Sequence, residues 1–418
     1  MNDNCINQNN PLTQSSDILV KLVSFTSVSM TLLGGYRSIL PGFNWGTFLI
    51  LSCFLISLVV KTRIVILRTP FIVLCGWILL ISPVALAVYS ETINMDTGNL
   101  IAALLRTYHF GIVLSIYFIF GLYSFFDTHL AIKYMRAIVY FNTLLIVIQQ
   151  IVNIVFHYPI QNPFTNFAMT SYYFTENYSS VMGNGLFRPS GLFLEPSNVS
   201  QYYIIFLCVI LFSSKNNKYD FRDLLITSIG ILGTGSGMGV FIIASFALLA
   251  VCRRFKFNAM KSMAMLLVFA VAVIMVLQTD YVQKVLARIF TSSVDTGGNA
   301  ILSRFGNGFD FYFDLGIGQK LMGCGFIAWD FFLNGVEYIL NTMGAIGLTV
   351  FFAIYIRLLT MAKDYWRKMV VLSYGALFLV SQFFNAGTII LYFSMALSVD
   401  YIDYIDIFSS KRLVKIRA

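Results

Sequence analysis

The stretch Phe187 to Tyr203, FRPSGLFLEPSNVSQYY, gathers residues able to do chemistry within a short reach of chain. Arg188 and Glu195 stand seven residues apart, and each is followed directly by proline. Pro196 suits the first position of a helix, where the missing N–H costs nothing. Glu195 then falls at the cap, with Ser197 and Asn198 in the first turn. A guanidinium fixed opposite a helix start is a natural place for a phosphate group, because backbone N–H groups and the planar arginine fork both match phosphate oxygens. Gly191, between the two charges, is expected to relieve crowding. The other reading of the same spacing is a salt bridge that pins loop to helix.

The elements that must present this stretch follow from composition. Hydrophobic residues make up 58% of the 418 and charged residues 11%, against about 25% charged in an average soluble protein. That excludes a water-soluble globule. A spanning helix needs about 20 apolar residues, and apolar segments lie near residues 18–35, 43–60, 70–90, 107–126, 137–156, 197–213, 224–252, 260–278, 336–357 and 369–400. Two of them exceed one span. Leu224 to Cys252 is interrupted by GTGSGMG and Met369 to Asp400 by FFNAGT, and glycine clusters of this kind suit a broken helix. The expected architecture is an all-α polytopic membrane protein, one integral domain over residues 1–418 with about twelve transmembrane helices.

The basic residues orient it. With a cytoplasmic start and twelve spans, 20 of the 28 lysines and arginines fall in inner loops, as the positive-inside tendency requires. A single span over Leu224 to Cys252 would send Arg253, Arg254 and Lys256 outward. Two long outer loops result, 157–198 and 279–335, and long ordered loops are usually functional. The net charge of +9 thus reports membrane sidedness rather than nucleic-acid binding. The six cysteines form no CxxC pair and read as small core residues. The polar start lacks the basic flank of a cleaved signal, so the first apolar segment is expected to stay as a helix. Asp400, Asp403 and Asp406 read as a solvated helix end rather than a metal site, and no metal or other cofactor is expected.

The pattern R-x-x-G-x-x-x-E-P-S before a helix, the break GTGSGMG two helices on, and a later GxG followed by G-x-x-G resemble the O-antigen polymerase (Wzy-type) family, within the broader group that includes the O-antigen ligases. The resemblance implies a multi-pass glycosyltransferase of the bacterial inner membrane. Its substrate would be oligosaccharide repeat units carried on undecaprenyl diphosphate, joined at the periplasmic face, with membrane lipids around it and a separate chain-length regulator protein as partner. Such a transfer needs cations on the departing diphosphate and a base for the acceptor hydroxyl.

Arg188 and Arg304 are the first candidates for the diphosphate, with Arg288 and Lys320 behind them. Candidates for the base are Glu195, Glu337 and Asp330, Glu195 having the second possible role of orienting Arg188. Ser236, inside the glycine break, is a further candidate phosphate donor. The surrounding glycines read as a tight turn and packing surface, and no GK[ST] follows to make a nucleotide loop. Aromatics of the first loop, among them Tyr158, Phe164 and Phe167, read as an interface belt. Related ligases show histidine in a motif like H-N-x-Y-L where NGVEYI stands here. A ligase and a lipid-linked-glycan flippase are the alternatives, the latter favoured by charges deep inside several helices.

Overall fold

The computed structural model describes residues 11–39, 43–59, 70–158, 187–213, 221–236, 242–246, 307–329, 333–381 and 384–397, together with positions 160, 162, 164, 167 and 239. The named elements are all helical. They are α1 (Pro11–Leu33), α2 (Trp45–Val59), α3 (Pro70–Gly76), α4 (Ser82–Thr92), α5 (Thr97–Leu114), α6 (Thr128–Phe156), α7 (Pro196–Phe212), α8 (Phe221–Gly233), α9 (Asn307–Asp314), α10 (Ile317–Met322), α11 (Gly335–Met361), α12 (Tyr365–Val380) and α13 (Ala386–Leu397). A π-helical turn, Trp77–Ile81, joins α3 to α4, and another, Ser115–Ile119, extends α5.

Four helices among the described residues are long and apolar enough to cross a membrane: Phe71–Thr92, Thr97–Ile119, Thr128–Phe156 and Gly335–Met361. Trp45–Val59, Pro196–Phe212 and Ala386–Leu397 are shorter apolar helices. The protein is an all-α membrane protein. Both overlong apolar runs are broken, the first at its glycine cluster and the second just ahead of Gly387, which lies inside α13. Helix α8 stops at Gly233 and turns at Thr234 and Gly235, while α12 stops at Val380 and α13 opens at Ala386. The stretch 279–335, expected as a loop, contains α9 and α10 in its described part.

The chain divides into two compact units. The first comprises Met1–Met135, Gly308–Lys363 and Tyr374–Ala418, the second Arg136–Asn307 and Asp364–Ser373. In the first unit α1 packs on α2 and α13. Tyr117 is fully buried, and its hydroxyl is shared between Ser27 Oγ at 2.8 Å and Ser394 Oγ at 2.7 Å. Left unpaired, that hydroxyl would cost about 1–3 kcal/mol. Phe71 stacks on Phe118 with ring centroids 4.5 Å apart, and Phe393 closes the cluster edge-on.

Helix α11 is interrupted at Gly344, whose φ is +71°. A break frees carbonyls that a membrane interior cannot solvate, so other protein groups must take them. Cys324 N donates to Asn341 O at 2.7 Å, Gly325 N to Thr342 O at 3.0 Å, and Trp77 Nε1 to Met343 O at 3.1 Å. The approach is possible because both sides are glycine. A Cβ on Gly344 would overlap the Leu321 carbonyl, and one on Gly323 would overlap the backbone of Thr342.

In the second unit α7 packs on α8. Gly230 of α8 leaves room for Thr143 and Tyr203, and the Tyr203 hydroxyl donates to Val139 O at 2.9 Å. At the start of α8 the buried Asp223 carboxylate accepts from Arg136 Nη2 at 2.7 Å and from the Tyr140 hydroxyl.

Candidate functional site

The site grows from the first turn of α7. Glu195 is the N-cap, with φ −131° and ψ 145°, and Pro196 begins the helix. The carboxylate makes no side-chain cap bond and instead accepts from Ser197 Oγ at 3.0 Å. The Asn198 backbone N–H is taken instead by the Glu195 carbonyl, at 3.1 Å.

Arg188 lies in the extended segment before this helix, half-buried, and its Nε donates to the carbonyl of Gly235 at 3.3 Å. The motif and the glycine break, 47 residues apart in sequence, therefore meet at this bond. Among the described residues no ion pair joins Arg188 to Glu195. The salt-bridge reading of their spacing is not what forms.

Gly235 has φ +58°, a left-handed conformation just past the end of α8. Ser236 follows, buried, its backbone N donating to Thr234 Oγ1 at 3.2 Å. Close packing by the surrounding glycines is observed at Gly233, set against Ile146, and at Gly239, set against Ile231 and Ser200. Gly191 also takes a left-handed φ of +61°, and its missing side chain makes room for Asn142, not for Arg188 or Glu195.

That neighbour belongs to a set of residues the sequence analysis passed over. Helix α6 turns a row of amides onto the motif. Asn142 Oδ1 accepts from Leu192 N at 2.6 Å, Gln149 Oε1 from Gly191 N at 3.0 Å, and Gln150 Nε2 donates to Gly233 O at 2.7 Å. Asn162 Nδ2 adds a bond to Phe193 O at 3.1 Å. Asn142, Gln149 and Gln150, three of the four amides inside the apolar run 137–156, were the available signal, since polar side chains within a membrane helix are costly unless something requires them.

The remaining candidates fall elsewhere. Glu337 belongs to the first unit and is buried at the third position of α11, in a capping box. Its Oε2 accepts from Asn334 N at 3.2 Å, and its own N donates to Asn334 Oδ1 at 3.0 Å. Lys320 lies in the last turn of α10, also in the first unit. Arg288, Arg304 and Asp330 lie outside the described residues. Among the described residues no group of three or more His, Cys, Asp or Glu could hold a metal ion. Compared with known proteins, the chain matches no protein-family model, no curated protein and no solved structure.

Proposed function

We propose that this protein is a repeat-unit polymerase of the O-antigen polymerase type, a glycosyltransferase of the bacterial inner membrane working at the periplasmic face. In this reading twelve helices span the membrane and residues 157–198 and 279–335 lie outside. The observation that carries it is the bond between Arg188 Nε and Gly235 O. It joins two of the three sequence features on which the family resemblance rests, and one of them runs directly into the N-terminus of α7.

The chemistry assigned to the site is transfer of a glycan from undecaprenyl diphosphate. The bond from the anomeric carbon to the diphosphate oxygen breaks, the acceptor sugar's hydroxyl oxygen takes that carbon, and its proton passes to a base. Arg188 holds the departing diphosphate, helped by the partial positive charge of the α7 N-terminus and by Ser236. Glu195, which accepts from Ser197 Oγ, is the carboxylate nearest Arg188 in sequence for the proton. Arg304, Arg288, Lys320 and Asp330 are assigned to the oligosaccharide and its carrier, and a chain-length regulator is the expected partner. Glu337 is engaged in capping its own helix, which favours Glu195 as the base.

Where the described residues bury charge they do so at helix ends. Asp127 caps α6 through Leu130 N at 2.8 Å, Asp223 opens α8, Glu337 opens α11, and Arg367 in the first turn of α12 pairs with Asp364 at 3.6 Å. A flippase would call for charges along a central path, so this placement favours the enzyme.

The test is the lipopolysaccharide pattern of a strain lacking the gene, with lipid-linked glycan counted in parallel. Core bearing one repeat unit, with the long ladder gone, is the expected result. Bare core would overturn the reading: polymer stranded on its carrier would indicate a ligase, and single units stranded at the cytoplasmic face a flippase.

A further inference from the structure

Gln150 stands one helical position beyond Gln149 on α6, and its carboxamide does something the neighbouring amides do not. Asn142 and Gln149 each accept from one motif N–H, at Leu192 and Gly191, and each donates to a single further oxygen, the Tyr203 hydroxyl and the Ile160 carbonyl, both at 3.2 Å. The Gln150 Nε2 faces two carbonyls from segments far apart in sequence. One is Gly233 O at 2.7 Å, the last carbonyl of α8, of the kind a helix end leaves for side chains to take. The other is Phe187 O at 3.5 Å, immediately before Arg188.

Together with the Arg188 bond to Gly235 O, this closes a ring. Phe187 and Arg188 form one side and Gly233 to Gly235 the opposite side, while Gln150 Nε2 and Arg188 Nε bridge them. A guanidinium carried on a long, flexible stem recognises a diphosphate well only if its plane is fixed beforehand, since every rotamer frozen on binding weakens affinity. Of the two bridges, one is Arg188 itself. The other sets the distance between the segment that carries Arg188 and the turn whose carbonyl orients it.

We propose that Gln150 is a positioning residue for Arg188, acting on recognition of the lipid diphosphate by holding the Phe187 and Gly233 carbonyls at a fixed separation. This rests on the reading of Arg188 as the diphosphate group's partner. A carboxamide is the side chain the geometry requires. It offers two N–H donors on one nitrogen and carries no charge that would compete for the phosphate. A glutamate at 150 would set oxygen against two carbonyl oxygens, and a leucine would leave both carbonyls without this donor.

The experiment uses the full chain purified in detergent, with undecaprenyl diphosphate as the probe and thermal melting followed alongside. Gln150→Leu is expected to weaken binding about tenfold, the loss of roughly one hydrogen bond's worth of fixed geometry, with the melting temperature lowered by only about a few degrees and the fold kept. Arg188→Ala is expected to weaken binding at least as much. Gln150→Leu added to Arg188→Ala is then expected to cost nothing more, because residues that act through one another are non-additive. A merely structural glutamine would give the same factor in both backgrounds. Parent-like binding by Gln150→Leu, or full multiplication of the two effects, would overturn the inference while leaving the diphosphate reading intact. Parent-like binding by Arg188→Ala would overturn both. Should Gln150→Leu fail to fold, Gln150→Asn, which keeps the amide but shortens its reach, is read in the same cycle.

Discussion

Arg188 donates through Nε to the carbonyl of Gly235, 3.3 Å away and 47 residues on in sequence. The guanidinium is held through its Nε by the carbonyl of a residue in the left-handed conformation. Loop, helix break and helix start are held as one construction in the second unit.

Lysine cannot replace that arginine. It has no Nε–H to hold Gly235 while presenting a planar fork to a diphosphate. Arg188→Lys is expected to lower polymerisation of lipid-linked repeat units by about a hundredfold or more, the usual cost of losing a positioned donor on a departing anion. The check is polymer formed by the purified protein from lipid-linked units. A variant that builds a normal ladder would remove Arg188 from the reaction.

Gly344 is expected to tolerate no side chain. Its φ of +71° strains any L residue, and a Cβ would strike the Leu321 carbonyl, which is backbone and cannot swing aside. Gly344→Ala should therefore destabilise the first unit by about 2–4 kcal/mol. Trp77→Phe, which removes only the donor to Met343 O, should cost about 1 kcal/mol. Denaturant titration in detergent micelles reads both. Equal losses would show that the break is held by the indole rather than by the glycine contact.

The Cys324 thiol is fully buried in the cluster around Tyr89 and Leu315, and burial pushes its pKa from 9.0 up to about 12. An acid raised on folding keeps its proton in the folded protein after the unfolded chain has lost it. Stability from this group therefore falls as pH rises from about 9 towards 12 and is unaffected below that. A variant with Cys324 as the sole cysteine should resist maleimide at pH 8 while folded and react promptly once unfolded in SDS. Rapid labelling of the folded form would show that the loop from α10 to α11 opens.

Asp223 exposes only 2% of its side chain while its partner Arg136 is 46% exposed, so the pair must be read from the acid's side. Asp223→Asn should cost about 1–2 kcal/mol. It keeps the shape but weakens the bonds from Arg136 and Tyr140, and screening by solvent discounts the exposed arginine. Melting of the variant beside Tyr140→Phe checks it, with the tyrosine change expected to be the smaller. The reverse order would make the phenol, not the guanidinium, the principal partner.

What the sequence determined by itself was local and chemical. Composition placed the chain in a membrane, Pro196 marked where α7 begins, and a glycine cluster marked where one overlong apolar run breaks. Each follows from the covalent preferences of a few adjacent residues: a missing N–H, a tolerated left-handed turn, a run too long for one bilayer.

Tertiary structure decided which groups meet. Nothing near Met343 in sequence says that its carbonyl is taken by Trp77, 266 residues away. Nothing near Arg188 says that it bonds Gly235 and leaves Glu195 to Ser197. Asn142, Gln149 and Gln150 show the limit clearly. A buried amide in an apolar helix announces that a partner must exist, because leaving it unpaired in a low dielectric is costly. It does not name the partner, since any backbone N–H or carbonyl would satisfy the same requirement. Only the packing of α6 against the motif and the glycine break makes that choice.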